Sequence, residues 1–208
     1  MAVGNSVREA TVQIHQLRAR KLPKFDYGAG MSRIGFHPSG LNLKYKEISE
    51  YYESVRTSIG TFYLGGSDAY LERFGFSSNQ HVMDAYKKEA DEFETSTCLT
   101  VLSALEARFR IDYLARVDKK LKDPLSRAFR KLYGRHKTEL RFDDLLNVWK
   151  NHAPSSTLYI GQLKTAQIYR HWLAHGRYWT PRLGRRHGFA DLYELSSAIE
   201  TAFPFESF

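Results

Sequence analysis

The longest helical pattern in this chain runs from Asn79 to about Lys122, and it limits the fold more than any other segment. Within it Cys98, Leu102, Leu105, Phe109, Tyr113 and Val117 recur every three or four residues and form one apolar stripe, the pattern of a helix with a buried face. Ser77 or Ser78 is a candidate N-cap. Asp123-Pro124 stops the run, because proline disfavours a helical residue before it and suits the first turn after it. Thr95 to Thr97 is weakly helical and is expected to kink or break the helix. A helix of this length needs other helices against its stripe.

The rest of the chain supplies them. Helical patterns are read at Val7 to about Lys21, Leu43 to Ser58, a short segment from Ser67 or Asp68 to Phe74, Pro124 to Tyr133, Arg141 to Asn151, Thr157 to His175, and Ala190 to Ala202. Between the first two, Pro23 to Gly40 holds two prolines and four glycines and is read as a loop or arm. No strand pair, repeat or low-complexity block is found. The fold class is therefore an all-α bundle. Residues 1–78 are read as an N-terminal helical extension packed on a bundle formed by residues 79–208.

At 208 residues the chain can bury a sizeable core. Its formal charge of +8 favours a polyanionic partner, since phosphate contacts release counterions. Cys98 is the lone cysteine, which excludes an internal disulfide and a cysteine-based metal site and fits a reducing compartment. The first residues lack a secretory apolar run, and nothing approaches a membrane span. The expected location is the cytoplasm, without membrane contact.

The chemistry is sought in I-Y-R-H-W-L-A-H-G-R-Y-W, Ile168 to Trp179. Arg170 and His175 are five positions apart, and His171 follows the arginine. RNA cleaves itself when its 2′-hydroxyl attacks the adjacent phosphate, if one group removes the hydroxyl proton and another protonates the leaving oxygen. Histidine suits both tasks near neutral pH. The phosphorane's added negative charge needs a fixed donor, and arginine's planar fork matches phosphate oxygens. We assign His175 as acid or base, Arg170 as phosphorane stabiliser and His171 as a further acid/base or positioning group. A 2′,3′-cyclic phosphate and a 5′-hydroxyl would result, with no metal or cofactor called for and DNA resistant.

The spacing alone is weak: 18 arginines and eight histidines give roughly two-thirds of one R-x4-H pair by chance. A second pair, Arg182 to His187, sits among Pro181, Gly184 and Gly188 and reads as a catalytic decoy. The first pair lies on a helix with an apolar side through Leu163, Ala166 and Leu173, and small Ala174 and Gly176 flank His175. One helix still assembles the site poorly. At about 100° per residue His171 and His175 share a face, while Arg170 and His175 stand roughly 140° apart. Arg170 could instead pair with Glu106, if the two helices pack; that carboxylate would then orient the guanidinium. Metal binding by the two histidines lacks a nearby third ligand.

This grouping resembles the R-x4-6-H motif of the HEPN superfamily, helical proteins that include RNA-cutting toxins and antiviral nucleases. A polar residue after the arginine, here His171, is similar to the family pattern. So is the acidic-aromatic helix A-L-E-A-R-F-R-I-D-Y-L, Ala104 to Leu114, which carries Glu106 and Asp112. The resemblance covers about Asn79 to Phe203. It implies a metal-independent endoribonuclease of toxin or antiviral type, a homodimer whose two motifs share a cleft, and a cognate antitoxin of nucleotidyltransferase type. That antitoxin could place a nucleotide on Tyr169 or a nearby tyrosine. The alternative it carries is a non-catalytic module that dimerises and binds a nucleotidyltransferase or a nucleotide.

After the motif, Arg177 to His187 mixes cations with aromatics, which suits single-stranded RNA through stacking and phosphate pairing. Arg177, Tyr178, Arg182, Arg185 and Arg186 are the candidate RNA contacts. The plainer reading buries Tyr178 and Trp179 in the core. The basic stretches Arg18–Lys24, Lys119–Lys122 and Arg127–Lys137 read as solvated helix faces, with an extension of the RNA track as the alternative.

Overall fold

A single 40-residue helix, α3 (Asn79–Asp118), about 60 Å long by its rise, is the post around which the other elements pack. The computed structural model describes residue 36 and residues 38–153, 156–180 and 187–208; the expected helix Val7–Lys21 and most of the Pro23–Gly40 arm lie outside them. Gly40–Phe208 is one compact unit. Its other helices are α1 (Tyr45–Tyr63), α2 (Asp68–Phe74), α4 (Pro124–His136), α5 (Phe142–His152), α6 (Thr157–Ala174) and α7 (Phe189–Ala202). Among the described residues there is no strand, and the fold is all-α. No helix among them is long and apolar enough to cross a membrane.

The caps follow the sequence. Ser67 and Ser78 accept the amides of Tyr70 and His81 at the starts of α2 and α3, and Asp123 accepts the Ser126 amide ahead of Pro124 in α4. The break expected at Thr95–Thr97 does not occur. Thr95 and Thr97 donate their hydroxyls to the carbonyls of Asp91 and Phe93, so the side chains bond within the helix they were expected to interrupt. Every member of the Cys98–Val117 stripe is buried. Around it pack α1, α4, α5, α6 and α7.

The core is dense in aromatic rings. Phe109 meets Trp149, Phe203 and Phe205 edge to face at centroid separations of 6.1, 5.4 and 4.9 Å, favourable geometry for such pairs. Under the C-terminal tail lies a buried charge pair. Arg116 donates to Asp112 at 2.7 Å, to Ser126 at 3.2 Å and to the Pro204 carbonyl, and its guanidinium lies over Trp149. Asp112 also accepts the Glu206 amide at 2.7 Å. Burial pushes the Asp112 carboxyl up to about 6, against the lowering pull of that amide and of Arg116. Asp112 thus ties α3 to the tail, remote in role from the motif.

Candidate functional site

Helix α6 docks on α3, α5 and α7 through Ile160, Leu163, Ala166, Tyr169 and Leu173. The helix ends one residue before the sequence suggests: Ala174 is its last residue and His175 its C-cap. Gly176 and Arg177 both take the left-handed backbone, at φ 78 and 58, and the Arg177 amide reaches back to the Trp172 carbonyl at 3.1 Å. Glycine takes that conformation without a Cβ penalty. The cap therefore fixes where His175 sits, at the point where the chain leaves the helix.

Arg170 faces α3. Its Nη2 lies 3.2 Å from Glu106 Oε2, and the side chains are 32% and 15% exposed, so the guanidinium is oriented but still open to solvent. The other Glu106 oxygen accepts from Arg110 at 2.8–2.9 Å, and Arg110 donates onward to the Leu140 carbonyl. One carboxylate therefore holds two guanidiniums, which leaves positive charge in excess at this edge of α6. The Arg170 Nε and, one turn earlier, the Gln167 Nε2 are buried without a hydrogen-bond partner.

The two histidines face solvent. Their ring centroids are 4.2 Å apart, as the four-residue spacing on one face predicts, and His171 also lies 5.6 Å from the Trp179 ring. Trp172 donates its indole N–H to the Trp179 carbonyl at 2.8 Å, which holds the post-helix turn against α6. Two adjacent imidazoles can serve as the acid and the base of one proton-transfer reaction. In a single chain the arginine points inward to Glu106 while the histidines point outward, as the 140° separation implies.

The expected RNA contacts divide. Tyr178 is 83% exposed, outside the core, and stacks edge-on with Trp179 at 4.7 Å. Arg177 is already engaged: both of its terminal nitrogens donate to Glu92, at 2.6 and 2.7 Å, and the pairing holds the Glu92 carboxyl below its usual range. Nothing in sequence flags this contact, since its partners are 85 residues apart. Arg182, Arg185 and Arg186 lie outside the described residues. Tyr169 is 2% exposed, so a modifying enzyme could not reach its ring without opening the helix packing; Tyr178 is accessible.

Two concavities flank this region. One of about 230 Å³ is lined by Asp91, Glu94, Thr95, Tyr169, His187 and Gly188. The other, about 910 Å³, runs between α1, α2 and the first half of α3 and ends at Glu92 and Ser96. Neither of these two is lined by Arg170, His171 or His175. Among the described residues no three His, Cys, Asp or Glu side chains group as a metal-binding set. No family model, curated protein or solved structure matches this chain.

Proposed function

We propose that this chain is a metal-independent endoribonuclease of the HEPN type, a toxin or antiviral effector that cleaves RNA by 2′-hydroxyl attack. The observation that carries the reading is the pair of solvent-facing imidazoles 4.2 Å apart at the end of α6, next to an arginine held by Glu106. His175 and His171 divide the acid and base work, and Arg170 meets the charge that builds on the phosphorane. Glu106 aims the guanidinium. Tyr178, exposed beside the histidines, offers a ring on which a base can stack.

Arg170 turned toward Glu106 and histidines that face solvent make an incomplete site, and the rest is proposed to come from another copy of the chain. What supports this is the outer face of α6. Leu158, Gly161, Thr165, Ile168, Trp172 and His175 follow one another at alternating steps of three and four, the spacing of a helix-pairing seam. None is an acid, lysine or arginine, Leu158 and Ile168 are 68% and 53% exposed, and a Cβ at Gly161 would meet nothing within 4 Å. A two-fold axis beside Ile168 and Trp172 would bring two motifs together with a self-complementary contact.

The test is incubation of purified protein with mixed RNAs in EDTA, followed by analysis of the cut ends. Cyclic phosphate ends that disappear in His175→Ala and Arg170→Ala, with folding retained, are the expected result. Cleavage at the parent rate in both variants would remove the assignment. The non-catalytic module that dimerises and binds a nucleotidyltransferase or nucleotide uses the same α6 seam. It gains from Arg170 being turned toward Glu106, and it predicts intact dimers that cut no RNA.

A further inference from the structure

From Lys119 to Lys137 the chain carries eight Lys and Arg against one acidic residue, Asp123: a net +7 in a chain whose total is +8. Helix α4 turns this run into a ridge. Leu125, Ser126 and Phe129 are buried, while Arg127, Lys131 and Arg135 stand exposed at four-residue intervals, about 6 Å apart along the axis. Lys120 and Lys122 extend the ridge from the preceding turn and Lys137 from the following one, all exposed. None of these six forms an ion pair among the described residues. Their neighbours are committed differently: Lys119 pairs with Glu206 at 3.0 Å, and Arg130 donates to the Leu121 carbonyl.

Like charges four residues apart on a helix repel and weaken it. The ridge therefore works against the element that carries it, and among the described residues no carboxylate lies within ion-pair distance of it. We infer that α4 is a docking face for the phosphate backbone of an RNA strand, separate from the cutting end of α6. Helix α5 packs against both α4 and α6, so the element that carries the ridge and the one that carries the histidines share a neighbour. An anionic membrane is the poorer match. A surface-bound helix inserts its apolar face into lipid, and the apolar side of α4 is spent on the protein core, leaving Gly134 with open space beside the ridge. The choice of RNA rests on the ribonuclease reading; the presence of a polyanion site does not.

The probe is a labelled, roughly 20-nucleotide RNA methylated at every 2′-oxygen, which lacks the nucleophile and cannot be cut, read by fluorescence anisotropy across about 50–200 mM salt. The ridge variant combines Arg127→Gln, Lys131→Gln and Arg135→Gln. It should bind roughly tenfold more weakly at low salt, and its slope of log K against log salt should flatten by about 2, since each lost single-strand contact removes about 0.7. The control removes equal charge from the start of α1, at its N-cap Lys44 and at Lys46, and from the first half of α3, by Lys44→Gln, Lys46→Gln and Lys87→Gln, and should bind much as the parent does. Thermal unfolding of the ridge variant should occur no lower than the parent's, because repulsion has been relieved.

An unchanged slope, an equal loss in the control, or tighter ridge-dependent binding to phosphatidylserine vesicles than to RNA would each overturn the inference. Binding through the ridge by a protein that cuts no RNA would end the ribonuclease reading and leave the docking face standing. Cleavage that survives alongside undiminished binding in the ridge variant would do the reverse.

Discussion

Glu106 and Arg116 are the two residues whose removal separates chemistry from stability. Glu106 touches Arg170 and Arg110 and no expected substrate group, so Glu106→Gln should leave RNA affinity near the parent's and lower the cleavage rate about 10- to 100-fold through a mis-aimed guanidinium; single-turnover assays beside equilibrium binding check this, and an equal loss in both would mean Glu106 serves affinity instead. Arg116→Met acts on the buried pair. It strips Asp112 of its guanidinium in a site where the carboxyl is 0% exposed, a change that costs about 3–5 kcal/mol. Burial already raises Asp112 to about 6, and losing the cation raises it further. A carboxyl whose folded pKa lies above its unfolded value binds its proton more tightly when folded, so this group's contribution rises as pH falls through the folded pKa toward about 4. Denaturant melts of the variant should therefore regain part of the lost stability between pH 7 and pH 5, relative to the parent. A gap that stays constant over that range would show that Asp112 does not titrate there.

At the scale of single elements, the cap of α6 sets the position of His175. Gly176 has φ 78 and open space where a Cβ would go, so Gly176→Ala meets no clash and only the left-handed penalty, about 1–2 kcal/mol. Thermal melts should show that small loss, while cleavage falls more than stability does, because a re-formed helix end carries His175 with it. Most of these helices were legible in the chain. The stripe from Cys98 to Val117, the caps at Ser67 and Ser78 and the pairing of His171 with His175 are all local, set by spacings of three or four residues. The helix runs unbroken where Thr95 and Thr97 suggest an interruption, because both hydroxyls bond to carbonyls within α3. Local pattern is silent where partners lie far apart in sequence, as with Arg177 and Glu92 or Arg116 and the Pro204 carbonyl. The contact of Arg170 with Glu106 stands between these cases: it follows if α6 packs on α3, a condition no spacing supplies.

For the whole molecule, the question is how an inward-facing arginine and outward-facing histidines come to act on one phosphate. If two copies pair through the seam from Leu158 to His175, the histidines of both chains lie near the contact while each Arg170 stands on the far side of its helix. Arg170 of one chain then serves the histidines of the other only by leaving Glu106. Arg170→Ala and His175→Ala would each be inactive alone, since every site in either homodimer lacks one group. Mixing them under conditions that exchange subunits should restore cleavage to about a quarter of the parent level, because about half the dimers are mixed and each mixed dimer has one complete site. Ile168→Glu places a charge in the seam of both partners at once and should give monomers by analytical ultracentrifugation, with cleavage lost although Arg170, His171 and His175 are untouched. Restoration without dimer exchange has no route in this scheme. Full activity in an Ile168→Glu monomer would mean that a single chain closes its own site, with Arg170 leaving Glu106 to do so.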